Sequence, residues 1–281
     1  MIIEWNAHMF SADTERYPFH PRATYVPGPE GRAADPLADY LARMEREGID
    51  RAVLVQPEPY GDDHRLVLDC LRREPERLWG TSLFYPRDAD APDRLAALVA
   101  QEPRIVATRF HAHRGKTAYF GRFEEPGVVA LWEAAGDLGL IVELHIGPDY
   151  GAEVAAVVQA HPGTPVLIDH LAEPHMGNAV EYAEVLALAR FDNVFIKLSG
   201  LNHFSDDAPP YEEAKPFTRL VIDAFGPARM VWGSGTPSIV DAHLDRESAA
   251  ERERVKGGNL ADLLADRRGS RASGGSSQAG G

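Results

Sequence analysis

The chain has 281 residues, a formal net charge of −14, 44% hydrophobic and 26% charged residues. That length fits one (β/α)8 barrel of roughly 250 residues and is enough to bury a full core. Strong negative charge with scattered basic residues argues against nucleic acid and anionic membranes as partners, and no apolar run approaches the roughly 20 residues that span a bilayer.

Short apolar runs of strand type alternate with longer helical runs along the chain. The first strand covers Ile2 to Trp5, and with no basic segment and apolar run before it no secretory signal is expected. A proline-rich loop (Pro18, Pro21, Pro27, Pro29) leads to a helix from Pro36 to Glu47 with Asp35 as N-cap. The second strand is Ala52 to Val55, followed by a helix over Asp63 to Arg73. That helix carries Cys70, the one cysteine. Flanked by Leu66, Val67, Leu68 and Leu71, it reads as a core thiol, and a chain without a disulfide suits a reducing, cytoplasmic setting. The third strand is Trp79 to Phe84 and its helix Pro92 to Ala100. The fourth is Ile105 to Phe110 with a helix over Val128 to Leu138, and the fifth Leu140 to Leu144 with a helix over Ala152 to Ala160. The sixth is Val166 to Ile168 with a helix over Val180 to Ala189, and the seventh Val194 to Ile196 with a helix over Phe217 to Phe225. The eighth is Met230 to Trp232, and the last helix runs from Ala249 to Leu264.

Eight even strand–helix units, with no Gly-x-Gly-x-x-Gly turn after the first strand, favour a single-domain (β/α)8 TIM barrel over an open doubly wound sheet. The barrel is assigned to residues 1–266. Residues 267–281, rich in Gly and Ser, read as a disordered tail.

In such a barrel the site lies at the C-terminal ends of the strands. Asn6 and His8 come after the first strand; Arg109, His111 and His113 after the fourth; His145 after the fifth; Asp169 and His170 after the sixth. Lys197, Ser199, Asn202 and His203 come after the seventh, and Gly233-Ser234-Gly235-Thr236-Pro237 after the eighth. Imidazoles from several strand ends suit metal binding or proton transfer near neutral pH. His20, His64, His161 and His243 read as surface residues instead. Pro18-Phe19-His20-Pro21 and Asn202-His203-Phe204 are candidate lid segments.

Four segments carry a family resemblance. Ile2-Ile3-Glu4-Trp5-Asn6-Ala7-His8 resembles the opening Asp-x-His-x-His strand of the amidohydrolase-related superfamily, and Val166-Leu167-Ile168-Asp169-His170-Leu171 its sixth-strand Asp-His segment. Leu198-Ser199-Gly200-Leu201 fits the seventh strand, and Trp232-Gly233-Ser234 with Pro237 the eighth-strand Trp-Gly-Ser-Asp-x-Pro. The resemblance covers about residues 1 to 264 and is nearest the branch of aromatic-acid decarboxylases and pyrone-dicarboxylate-type lactonases. It implies one divalent ion, zinc or manganese, on His8, His145 and Asn6, or metal-free chemistry as in some lactonases of that branch. Asn6 replaces the first histidine and Gly235 the eighth-strand aspartate, so the ligand set is short. Glu4, Glu143, Asp169, Glu173 and Asp241 are possible replacement carboxylates. Of these, Glu4 is placed on the side of Asn6 and His8 but deeper, and Glu143 on the face opposite His145.

The expected function is hydrolysis of a small anionic or aromatic lactone, amide or carbon–carbon bond. His170 is the expected acid/base, and Arg109, His111, His113 and His203 are the expected substrate contacts. The alternatives are a decarboxylase or other lyase, and a barrel that binds a ligand without turnover because the aspartate is Gly235. The expected partner is a small-molecule substrate, with a homo-oligomer left open.

Overall fold

The computed structural model describes residues 1–112 and 119–274, the last few (267–274) as backbone only. Eight parallel strands form one sheet in chain order: β1 (Ile3–Ala7), β2 (Arg51–Leu54), β3 (Leu78–Leu83), β4 (Ile105–His111), β5 (Ile141–His145), β6 (Val166–Ile168), β7 (Val194–Leu198) and β8 (Met230–Trp232). The helices between them are α1 (Pro36–Glu47), α2 (Arg65–Arg73), α3 (Ala91–Gln101), α4 (Pro126–Asp137), α5 (Gly151–Ala160), α6 (Ala179–Leu186) and α7 (Lys215–Phe225). The eight-unit barrel expected from the alternation is the observed fold.

Local chemistry sets several of the boundaries. The Asp35 carboxylate accepts the Ala38 amide at the start of α1, and Gly48 ends the helix at φ 68°. Asn178 and Glu181 form a reciprocal capping box on α6. Gly233 lets the end of β8 lie against β1: a Cβ there would collide with the Trp5 carbonyl, so only glycine lets the chain pass this close.

The C-terminal region departs from the sequence expectation in two ways. A short helix, α8 (Ser238–His243), comes after β8. The single expected helix is α9 (Ala249–Glu253), a π-turn over Arg254–Gly258, and α10 (Asn259–Gly274). The helix α10 continues past residue 266, and residues 275–281 of the expected tail lie outside the described residues. No helix among the described residues is long and apolar enough to cross a membrane.

Two apolar clusters hold the barrel. The larger lies between strands and helices and includes Cys70, whose thiol burial pushes up to about 12. The smaller fills the lower half of the barrel with Ile3, Trp5, Val53, Ala107, Ile141, Leu167 and Val231, and Leu260, Leu263 and Leu264 of α10 plug it from below.

Candidate active site

Period-two alternation along each strand stacks the barrel interior in layers. Above Ala107, Ile141, Leu167 and Phe195 come Arg109, Glu143, Asp169 and Lys197, each two residues further on. Above Arg109 and Glu143 in turn come His111 and His145, paired across β4 and β5. The interior therefore runs from an apolar floor through a charged layer to an imidazole layer at the mouth.

The charged layer is buried and tightly paired. Lys197 Nζ lies 2.6 Å from Glu143 Oε1 and 2.6 Å from Asp169 Oδ1, with all three side chains fully buried. Arg109 donates to Asp169 Oδ2 from Nε at 3.0 Å and from Nη2 at 2.6 Å. The Trp5 indole donates to Glu143 Oε1 at 2.9 Å, a bond from β1 to β5 that crosses the interior. Glu143 thus points into the barrel on the same face as His145. Residues two apart share a face, which corrects the opposed placement. Glu4 is corrected too: it faces α1, bonded to Tyr40 at 2.6 Å and Arg43 at 3.0 Å.

Burial pushes the Glu143 carboxyl up to about 7, with Asp169 adding to the effect. Burial acts in the same direction on Asp169, but Lys197 and Arg109 outweigh it and hold that carboxyl below its ordinary value.

Imidazoles form a continuous row above this layer. Ring centroids are 4.6 Å apart for His111 and His145, 4.8 Å for His145 and His170, and 4.8 Å for His170 and His203. Arg109 Nη2 lies 2.8 Å from His145 Nδ1. A guanidinium only donates, so His145 Nδ1 is the acceptor and Nε2–H points to Glu173 Oε1 at 3.0 Å. The same Glu173 oxygen receives His203 Nδ1 at 2.8 Å, and His170 Nδ1 meets Ser199 Oγ at 2.8 Å.

An unusual backbone presents His170 and Glu173. His170, Leu171, Ala172 and Glu173 all have positive φ, between 49° and 61°. Each such non-glycine residue costs roughly 1–2 kcal/mol, and strain of this kind collects at functional sites. Gly200, at φ 62°, packs against the His170 ring, where a Cβ would meet Nδ1 and Cγ at 2.5 and 2.6 Å.

His8 sits on the far side of a β-bulge between Trp5 and Ala7 and bonds the Val55 carbonyl through Nδ1 at 3.1 Å. Burial, then Arg109 and Lys197, lower its imidazole to about 3. Burial also holds His170 well below the ordinary histidine value, with Lys197 among the cations that add to it. Burial leaves both rings neutral near pH 7, with Lys197 and Arg109 adding to the effect and Asp169 opposing it.

The expected metal set of Asn6, His8 and His145 does not fit a divalent ion. The Asn6 carboxamide oxygen is buried without a hydrogen-bond partner among the described residues, but it is neutral and a weak ligand. His145 Nδ1 already receives Arg109, and His8 Nδ1 is taken up by the Val55 carbonyl. Gly235, at φ 73°, supplies no carboxylate, and its carbonyl accepts Arg43 instead. Among the described residues, the histidine and carboxylate groups close enough to hold an ion are His145–Asp169–His170 and His170–Glu173–His203. His8 belongs to neither group.

Of the expected substrate contacts, Arg109 is only 3% exposed, and its Nε and Nη2 are engaged by Asp169 and His145. His111 lies in the row, and His203 stands partly exposed on the lip. His113 lies outside the described residues. His64 and His243, read as surface residues, are buried: His64 Nε2 accepts the Leu83 amide at 3.1 Å, and His243 bonds Thr218 at 2.9 Å. Glu173 and Lys197 matter more to this geometry than their sequence positions suggest. For Lys197 the signal was present, as a lysine alternating with apolar residues inside a buried strand.

The family model for amidohydrolases matches residues 3–264. A 4-sulfomuconolactone hydrolase from Rhizobium radiobacter is 29% identical over 237 residues, 83% of this chain and 75% of that protein. An L-fucono-1,5-lactonase from Burkholderia ambifaria is 28% identical over 197 residues, 69% of this chain and 67% of that protein. A probable 2-pyrone-4,6-dicarboxylic acid hydrolase from Acinetobacter baumannii, solved with citric acid bound, superposes with a TM-score of 0.78 at 20% identity, over 94% of this chain and 99% of the other. That last likeness is one of fold. With the barrel, the sixth-strand Asp-His pair and the family match in agreement, the chain belongs to the amidohydrolase family.

Proposed function

We propose that the protein hydrolyses the ring ester of a small lactone bearing an anionic group, with His170 as the proton carrier. The observation that carries this is the row His111–His145–His170–His203 above a buried ammonium and guanidinium. A neutral imidazole can take a proton, and fixed cations below it favour the negative charge that develops on a carbonyl oxygen under attack. The curated relatives support the substrate class, since both act on lactones by name.

In the proposed reaction water adds to the ester carbonyl carbon as His170 takes its proton. The tetrahedral anion collapses, the ring carbon–oxygen bond breaks, and His170 returns the proton to the leaving oxygen. Ser199 orients the His170 ring through Nδ1, and Glu173 fixes the tautomers of His145 and His203. Arg109, through Asp169 and His145, holds the positive field in place, while His111 and His203 line the path of the substrate. His113, after β4, remains a candidate contact. No step passes through a metal, because the expected ligands do not fit one.

The test is a panel of anionic and neutral lactones together with aromatic carboxylic acids, with acid release and carbon dioxide release measured separately. Lactone opening that falls about 10²–10⁴-fold in His170→Ala is the expected result. Carbon dioxide release without lactone opening would overturn it in favour of a lyase. No turnover of any compound would leave a binding barrel.

A further inference from the structure

Glu173 differs from the other two carboxylates of the interior. Asp169 is paired with both Lys197 and Arg109, and Glu143 with Lys197. Glu173 is 1% exposed, yet its side-chain partners among the described residues are all imidazoles. His145 Nε2 is 3.0 Å and His203 Nδ1 2.8 Å from Oε1, and His175 Nδ1 is 3.7 Å from Oε2. The second oxygen, Oε2, is buried and makes no hydrogen bond among the described residues. A buried carboxylate without a fixed cation is costly, and one surrounded by imidazoles is the donor set that first-row divalent ions prefer. The ligand atoms of His170, Glu173 and His203 all lie within 4.8 Å of one another. The His145 ring stands between this group and Arg109, with the guanidinium on Nδ1 and Glu173 on Nε2. The fixed positive charge is thus kept off the carboxylate. The left-handed turn from His170 to Glu173 brings both side chains to the same point.

We infer that His170, Glu173 and His203 form a binding site for one zinc-type divalent ion, carried on the loops after β6 and β7. It is separate from the first- and eighth-strand positions. The ion replaces the proton between Glu173 Oε1 and His203 Nδ1; that proton leaves to solvent while His203 takes one up at Nε2, so the ring stays neutral. Their 2.8 Å separation widens slightly to admit two bonds of about 2.0–2.1 Å. The His170 nitrogen that does not face Ser199 is the third ligand, and water completes the shell. One consequence rests on the proposed hydrolytic role of His170: an ion on that ring withdraws it from proton transfer, so zinc inhibits hydrolysis.

Chelator-treated full-length protein titrated with zinc by calorimetry, and with cobalt(II) by visible absorption, tests the site without reference to turnover. One equivalent of zinc with micromolar or tighter affinity is expected, together with the visible bands of a low-coordinate cobalt site. Glu173→Gln and His203→Ala should each weaken binding at least about tenfold, since each removes a direct ligand, while His8→Ala leaves it unchanged. His203 is partly exposed on a loop, so its variant is expected to fold, and circular dichroism of each variant checks this. Absence of binding at about 100 micromolar zinc would overturn the inference. So would binding abolished by His8→Ala and untouched by His203→Ala. Zinc that binds as described without slowing lactone opening would support the site and count against His170 as the proton carrier.

Discussion

Replacing Lys197 by methionine removes the cation that two buried carboxylates share. Nζ lies 2.6 Å from Glu143 and 2.6 Å from Asp169, with no solvent access to any of the three side chains. Breaking a buried pair from one side costs about 3–5 kcal/mol, because the partner is left unpaired or must take up a proton. Asp169 keeps Arg109, so most of that cost falls on Glu143, whose remaining bond is to the Trp5 indole. Measured against a total stability of about 5–15 kcal/mol, the loss is large. Urea unfolding of Lys197→Met should therefore show a midpoint shift at unchanged slope. Adding Glu143→Gln to that variant should recover about 2 kcal/mol, because the amide keeps the indole bond without the orphaned charge. A single variant within about 1 kcal/mol of wild type, or a double variant that is simply additive, would refute this picture of the charged layer.

Gly235→Asp restores the carboxylate of the family pattern but forces a side chain onto a residue at φ 73°, where its Cβ meets Ile239. It should lose about 1–2 kcal/mol of stability and gain no metal at the first-strand position, as thermal unfolding and elemental analysis will read. Gly200→Ala pushes a methyl into the His170 ring and should lower kcat at least about tenfold while leaving the fold intact by circular dichroism. Burial lowers the His64 imidazole to about 4, from an unfolded value of about 6.5. The unfolded state therefore takes up the proton first. Stability contributed by neutral His64 is complete above about pH 6.5 and is lost as pH falls toward 4. The wild-type loss over that window, measured by urea unfolding, should exceed that of His64→Gln by up to about 3 kcal/mol. Parallel curves would contradict it.

Strand and helix order was legible because apolar runs and amphipathic runs alternate eight times, and β6 and β8 fall where the pattern puts them. The helix at Pro36 was equally readable, since Asp35 and Gly48 act locally. The row of imidazoles could be anticipated from the residues just past the strand ends. Its supports were harder to read. The bulge at Asn6 shifts the register of β1, so counting by twos from Glu4 fails for His8. Nothing in His170-Leu171-Ala172-Glu173 announces a left-handed turn, because none of the four is glycine, and only tertiary packing holds that backbone. Glu173 meets His203 across two loops, a distance that no spacing rule spans. Lys197 and Glu143 lie on alternate strands with Asp169 between them, so their pairing needs the closed barrel.

In the proposed reaction, proton transfer by His170 drives ring opening, rather than a metal on the first and eighth strands. The rate of opening of an anionic lactone by chelator-treated protein, compared between wild type and His170→Ala, separates the two directly. Wild type should keep its rate after chelation, while His170→Ala falls about a hundredfold or more. A wild-type rate that disappears on chelation and returns with added metal, with His170→Ala behaving identically, would contradict the proton-carrier role.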